Sequence, residues 1–471
     1  MKLMRIILGI CLLVLPAFGQ GQKEQPLPKD LPSYGPQPRL RVPEVKVSKL
    51  ENGLTLWLVP QPGLPKVAVA VAIRGGMAAD PKDRPGLSEL LANTVNQGTK
   101  SRNARQIAEE LQGAGGDYQA NADRDGVTVA TSVLSEKADV ALAILADLLE
   151  NASFPESEVA LAKRNLADSL KQREARPGFL ANRALAKAMF GDHPYSIVAP
   201  TQEAVAKTTA TELRQEYSRR FRPDQALFVA VGDFDASKME ALVRENLGSW
   251  TLPATAQVAE IAAPQSAGPH AVFLVPRPGS VQTTLALGAF GPLQRSTDYE
   301  SAEVANAIYG GTFSSRLVSN IREDKGYTYS PGAFLETFRQ AGVLRTQADV
   351  RNAVTAPSFN EIVYELNRMV TTSPTEEELT KAKHSLLGIQ AIVLQLRSAV
   401  AGQLAHNWIQ GLPPDQISRQ GQDIEKVNAA NVDSATRKYF PAASMTVVAI
   451  GEEKVIREAF APFGIPIQPA P

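Results

Sequence analysis

The sequence predicts an α+β protein made of two homologous halves, each an α/β sandwich with helices packed on one face of a mostly antiparallel sheet. Three observations carry this prediction. Strand-type apolar runs and helix-type periodicities alternate within each side of a soft central segment. Short motifs on one side reappear on the other in register. The 471 residues, 44% of them apolar, are too many for one hydrophobic core and ample for more than one.

The N-terminus comes first. Lys2 and Arg5 precede a short apolar run, Ile6 to Ala17, broken by Pro16, and Ala17-Phe18-Gly19 fits a small-x-small cleavage site. Residues 1–19 are therefore predicted to be a signal peptide, which makes the chain an exported protein, periplasmic or secreted. The competing reading is a buried first helix. The run is about 12 residues against the roughly 20 that a membrane span needs, and no second long apolar stretch follows, so no transmembrane span is expected. Cys11, the only cysteine, lies in this segment, and the mature chain then has neither a disulfide nor a thiolate metal site. Ile10 before it is too large for a lipoprotein signal. Residues 20–43, rich in Pro, Gln, Gly and Lys, read as an extended leader. Lys plus Arg total 49 and Asp plus Glu total 49, and this zero balance argues against nucleic acid and against a polybasic membrane surface.

Residues 44–250 form the first domain. Its β-type runs are Thr55 to Val59 and Val67 to Ile73, followed by an apolar-periodic helix from Pro85 to Val95. A short helix, Arg102 to Gly113, is stopped by Gly113, Gly115 and Gly116. Alternation returns from Val127 to Val133. Long helices fill Ser135 to Leu149 and Pro155 to Arg173, and the strand Ala226 to Gly232 closes the half. Residues 251–269, with Pro, Ala, Gln and Gly, read as a linker, and 270–471 as the second domain. The matches across the linker support a duplication. Phe154-Pro155-Glu156 with Ala162-Lys163 answers Ser373-Pro374 with Ala382-Lys383. Leu227 to Gly232 answers Thr446 to Gly451, and Gln97-Gly98-Thr99 answers Gly310-Gly311-Thr312.

Several of these points form a longer pattern. It comprises Leu50-Glu51-Asn52-Gly53-Leu54, Gly75-Gly76, Gly86-Leu87, Gly98-Thr99 and Phe154-Pro155, then Gly310-Gly311, Ser315-Arg316-Leu317, and Arg322 with Gly326 and Tyr329. In this order they resemble the pitrilysin/insulinase/mitochondrial-processing-peptidase superfamily of zinc peptidases, over nearly all of Val45 to Gly451. Active members of that superfamily carry His-x-x-Glu-His in the helix after Gly-Leu. The two histidines bind zinc and the Glu acts as general base. The matching positions here are Glu89, Ala92 and Asn93. The third family ligand, a Glu on the long helix, falls by the family spacing on Leu170, with Asp168 within a small slip of register. None of the four histidines (His193, His270, His384, His406) stands at ligand spacing to another. The resemblance therefore implies no zinc in this chain.

It also implies a role for Arg322 and Tyr329. In the superfamily, an Arg and a Tyr seven residues later bind the substrate carbonyl near the scissile bond, and both can donate to an oxygen gaining negative charge. The residues alone allow a plainer reading, in which Arg322 pairs with Glu323 or Asp324 and Tyr329 packs in a strand. Tyr327 is the competing tyrosine. The segment from Gly113 to Gly126 stands where the superfamily has its substrate-pairing edge strand; with no zinc to serve, it is treated as a relic.

The implied function is that of the zinc-free subunit of an exported heterodimeric peptidase. A homologous zinc-motif-bearing subunit would be its partner and would hold the zinc. Peptide or unfolded protein would be the substrate, taken into a clam-shaped chamber of which this chain forms half. The alternative is a catalytically dead scaffold or peptide-binding protein of the same fold. No nucleophile constellation supports a peptidase acting alone.

Overall fold

The computed structural model describes residues 44–254, 258, 260–264 and 270–471. The expected signal peptide and leader lie outside the described residues, as do linker positions 255–257, 259 and 265–269. The first half forms a sheet from β1 (Lys46–Lys49), β2 (Thr55–Pro60), β3 (Lys66–Arg74), β4 (Tyr118–Ala122), β5 (Gly126–Leu134) and β6 (Ala226–Gly232). Their order is β1-β2-β6-β3-β5-β4, and only β2 and β6 run parallel. The second half repeats this plan with β7 (Val272–Pro276), β8 (Gln282–Gly291), β9 (Gly332–Phe338), β10 (Ala341–Arg351), β11 (Thr446–Gly451) and β12 (Ile467–Pro469). Its order is β12-β7-β11-β8-β10-β9, with β7 parallel to both β11 and β12. Apart from the flanking strands β1 and β12, the two sheets have one topology, as a duplication requires.

Six helices of the first half matter below. They are α1 (Leu87–Thr94), α2 (Ala104–Gly113), α3 (Ala138–Asn151), α4 (Glu156–Glu174), α5 (Pro177–Phe190) and α6 (Ala210–Arg220). The second half supplies α7 (Tyr299–Asn306), α8 (Thr355–Thr371), α9 (Glu376–Val393) and α10 (Arg397–Gln410). Gly86 opens α1 in a left-handed turn at φ 79°, where a Cβ would fall 2.3 Å from the Pro200 nitrogen. Only glycine meets both demands cheaply.

One expectation needs correction: helices cover both faces of each sheet, not one. In β3 the larger residues Val67, Val69, Val71 and Ile73 face the core of their own half, with Leu90, Leu91, Leu142 and Leu145. Ala68, Ala70 and Ala72 point the other way and are also buried, because α10 of the second half packs across them. The exchange is reciprocal. Leu285 and Leu287 of β8 face the second core, while Ala286 meets Ala181, Leu185 and Met189 of α5 from the first half. A Cβ on Gly288 would lie 2.6 Å from Met189 Sδ. Small residues on this face let the borrowed helix lie close. Strands buried on both faces lose the polar alternation of a half-exposed strand, which is why β3 and β6 read as unbroken apolar runs.

The turn between β4 and β5 serves the same seam. Asp123 Oδ1 accepts hydrogen bonds from the backbone N–H groups of Asp125 and Gly126, each at 2.7 Å. Asp125 accepts from the Tyr195 hydroxyl and from Arg339 N, both at 2.7 Å. Arg339, in the matching turn between β9 and β10, also pairs with Glu260 of the linker at 2.6 Å. The Arg74 guanidinium lies 4.1 Å over the Trp408 ring of α10.

Candidate functional site

Helix α1 occupies the place where the superfamily binds metal, and it is firmly held. Asp80 accepts from Ser88 N at 3.1 Å and from Ser88 Oγ at 2.5 Å. Arg220, at the end of α6, is fully buried behind it. Its guanidinium donates to Asp80 at 2.7 Å, to Glu216 at 2.8 Å, to the carbonyls of Gly75 and Gly76 at 2.8 and 3.1 Å, and to Ser88 Oγ. The scaffold that orients α1 is thus complete.

The metal position itself is closed. Glu89 accepts a charge-assisted hydrogen bond from Arg173 Nη2 at 2.9 Å, and both side chains are mostly buried. Arg173 lies on α4, one turn beyond Leu170, so a guanidinium stands between α1 and α4, beside the positions that the family pattern assigns to metal ligands. Ala92 is buried and Asn93 is exposed. Leu170 is fully buried in the first core. Asp168 is exposed and pairs with Lys171 at 3.0 Å on its own helix, away from Glu89. The residues present do not fit a zinc ion. Among the described residues, no group of three His, Cys, Asp or Glu side chains is placed to hold a metal.

The histidines are separately engaged. His193 Nδ1 accepts from Tyr195 N at 3.2 Å, and its Nε2 lies 2.9 Å from the Ala262 carbonyl. His270 Nδ1 lies 2.9 Å from the Met445 carbonyl. His384 is exposed on α9. Burial pushes the pKa of His406 down, against the nearby charges of Asp123 and Asp125.

In the second half the structure brings Arg322 and Tyr329 together. Arg322 lies in a π-helical turn, Ser319–Asp324, a wide form of helix that is frequent at functional sites. The turn is tied to α8 on both sides of the arginine. Asn320 donates to Glu361 at 3.0 Å and to the buried Glu365 at 2.7 Å, and Lys325 pairs with Glu361 at 3.1 Å. Thr328 Oγ1 donates to the Asp349 carbonyl at 2.7 Å and fixes the loop just before Tyr329. The Arg322 guanidinium then sits 4.5 Å from the Tyr329 ring centre. Tyr329 lies outside β9 and is 79% exposed, so it does not pack in a strand. Arg322 Nε does pair with Glu323, at 2.9 Å, and Asp324 takes no part. Tyr327 is half-buried.

Sequence reasoning missed Phe313. The Arg322 guanidinium also lies over its ring, 4.7 Å from the centre, and Phe313 is 67% exposed. The available signal was a large aromatic directly after Gly310-Gly311-Thr312, a turn segment with no core periodicity. Chemically, the corner offers a planar cation and a phenol side by side, both able to donate to one oxygen. In the first half, β4 is an edge strand paired only with β5, with Gln119 and Asn121 exposed.

Comparison with known proteins agrees with this architecture. The family description "Insulinase (Peptidase family M16)" matches residues 58–200, and "Peptidase M16 inactive domain" matches residues 207–386. A zinc protease of Bacillus subtilis, named as uncharacterized, is 26% identical over 392 residues, covering 83% of this chain and 93% of that protein. One from Mycobacterium leprae is 28% identical, covering 83% and 89%. Among solved structures, a peptidase M16 inactive domain from Pseudomonas fluorescens aligns with a TM-score of 0.81 at 22% identity, covering 91% of this chain and all of that one. A protease from Helicobacter pylori aligns at 0.80 and 19% identity, covering 87% and 100%. Fold and corner geometry define a two-half, peptidase-like protein with a closed metal position. The chain belongs to peptidase family M16, the insulinase family.

Proposed function

We propose that this chain is the zinc-free subunit of a heterodimeric zinc metallopeptidase. The partner is a homologous subunit that carries the His-x-x-Glu-His helix, the zinc and the general base. This chain supplies Arg322 and Tyr329, which donate hydrogen bonds to the substrate carbonyl oxygen as peptide hydrolysis makes it more negative. The two chains, each of two halves, close a clam-shaped chamber around peptides or unfolded proteins. The apolar run and cleavage motif of residues 1–19 support export, most simply to the periplasm.

One observation carries the reading. The Arg322 guanidinium stands 4.5 Å from the ring of Tyr329, which is open to solvent, on a chain whose own metal position is filled by Glu89 and Arg173. Donors that act on a developing oxyanion show their worth mainly in the transition state. The test uses the complex reconstituted with a zinc-bearing partner and a reporter peptide. Tyr329→Phe keeps the ring and should lower kcat about 100- to 1000-fold with little effect on assembly. Arg322→Lys should fail similarly, because Lys lacks the planar fork. Tyr327→Phe is the matched control and should change little. Full activity of Tyr329→Phe in a verified heterodimer would overturn the proposal and favour a scaffold.

A further inference from the structure

Resting on the reading above, we infer that Phe313 is a positioning residue for that chemistry, the outer half of an aromatic clamp that aims Arg322. The guanidinium lies over two rings, 4.7 Å from the centre of Phe313 and 4.5 Å from that of Tyr329. Its Nε edge is taken by Glu323 at 2.9 Å. Two rings and one carboxylate therefore engage the cation, and among the described residues its terminal nitrogens form no hydrogen bond. They are left for an incoming oxygen.

An arginine side chain is otherwise mobile, and ordering it at the moment of reaction would raise the barrier. Two rings packed against the cation restrict that motion beforehand. Phe313 has no evident second role, since a ring 67% exposed contributes little to a core. Its loop is itself fixed: Thr312 Oγ1 donates to the Ala307 carbonyl at 3.0 Å, and Ser315 Oγ accepts from Val318 N at 3.4 Å. The clamp is thus built from rigid backbone on both sides of the cation.

Phe313→Leu keeps apolar bulk but removes the π face, whereas Phe313→Tyr keeps the face. In the reconstituted complex, Phe313→Leu should lower kcat about tenfold with KM nearly unchanged, and Phe313→Tyr should stay within about twofold of the unmodified chain. A second measurement needs no partner. In the NMR spectrum of this chain alone, the part of the Arg322 Nε–H ring-current shift that Phe313 contributes should vanish in Phe313→Leu and persist in Phe313→Tyr, while the contribution of Tyr329 remains in both. Equal loss of turnover in both variants, or full turnover in Phe313→Leu, overturns the inference. If Tyr329→Phe slows the complex while Phe313→Leu does not, only the clamp falls. If Tyr329→Phe is fully active, the catalytic reading falls and the clamp with it.

Discussion

The two halves share one topology, yet the corner at α1 and the corner around Arg322 have met opposite fates. At α1 the charged groups are turned inward. Glu89 and Arg173 satisfy each other at 2.9 Å, and Arg220 is spent on Asp80, Glu216, Ser88 and two carbonyls behind the helix. At the second corner two rings are turned outward: Tyr329 and Phe313 are mostly exposed, with a cation packed against both. A site that has lost its ligands can be healed by an internal ion pair. The large aromatic rings at the second corner are held at the surface and contribute little to a core. The same residue type, arginine, therefore means structure in one corner and readiness in the other.

The sharpest test sets Arg220 against Arg322. Arg220→Met leaves Asp80 without its buried cation and Glu216 with Arg219 alone, and breaking a buried pair typically costs about 3–5 kcal/mol. Arg322→Met removes a pair with the exposed Glu323 and packing on two exposed rings, each worth roughly 0.5–1 kcal/mol. Urea unfolding of the single chain should separate the two variants clearly. It should also show one transition, because α5 and α10 are exchanged between the sheets and neither half is covered without the other. If Arg322→Met proves as destabilising as Arg220→Met, the second corner is structural after all.

Much of this was legible in the sequence. The strands β2, β3 and β6 and the helices α1 to α4 fall close to where apolar period and glycine stops put them, because each answers to local rules. The Arg322–Tyr329 pair was legible only through its resemblance to a family pattern. Three things were not legible, each for a physical reason. The helix exchange joins residues more than a hundred positions apart, although the alternation Val67-Ala68-Val69-Ala70-Val71-Ala72 already distinguished a wide-packed face from a close-packed one. Arg173 reaches Glu89 only through the packing of α4 on α1, which no local signal encodes. The π-helical turn at Arg322 has no propensity signature, and without it the approach of Phe313 could not be foreseen.

A second prediction compares α1 with its counterpart α7. Helix α1 buries a satisfied serine, whereas α7 buries the carboxyl of Glu303, whose Oε2 has no hydrogen-bond partner among the described residues. Burial, and then the charge of Glu300, push its pKa up to about 7. An unfolded Glu titrates near ~4.3. The folded state thus holds the proton more tightly between these values, and stability falls as pH rises from the lower value through the higher. Glu303→Gln removes the cost of ionisation. It should stabilise the chain by roughly 1–3 kcal/mol at pH 8 and by little at pH 4, measured as the change in urea midpoint. An equal effect at both pH values would show that the carboxyl does not titrate in this range.

The smallest effect tests whether Arg173 truly stands in the metal's place. Restoring the motif in α1 with Glu89→His, Ala92→Glu and Asn93→His puts two imidazoles one turn apart on the same helix face. Zinc affinity should nevertheless stay weak, because Leu170 offers no third ligand and the freed guanidinium of Arg173 repels a dication. Even in a water-like dielectric, a charge a few ångströms from a divalent ion is worth about 1–2 kcal/mol. Adding Arg173→Met to the restored motif should therefore tighten zinc binding by about tenfold, read by competition with a chromogenic chelator. The comparison is internal, since both variants carry the same histidines and differ only in the charge on α4. Equal affinity with and without Arg173 would mean that the guanidinium swings clear of the site once Glu89 is gone. The closed corner would then be a contact of convenience, not a replacement for the ion.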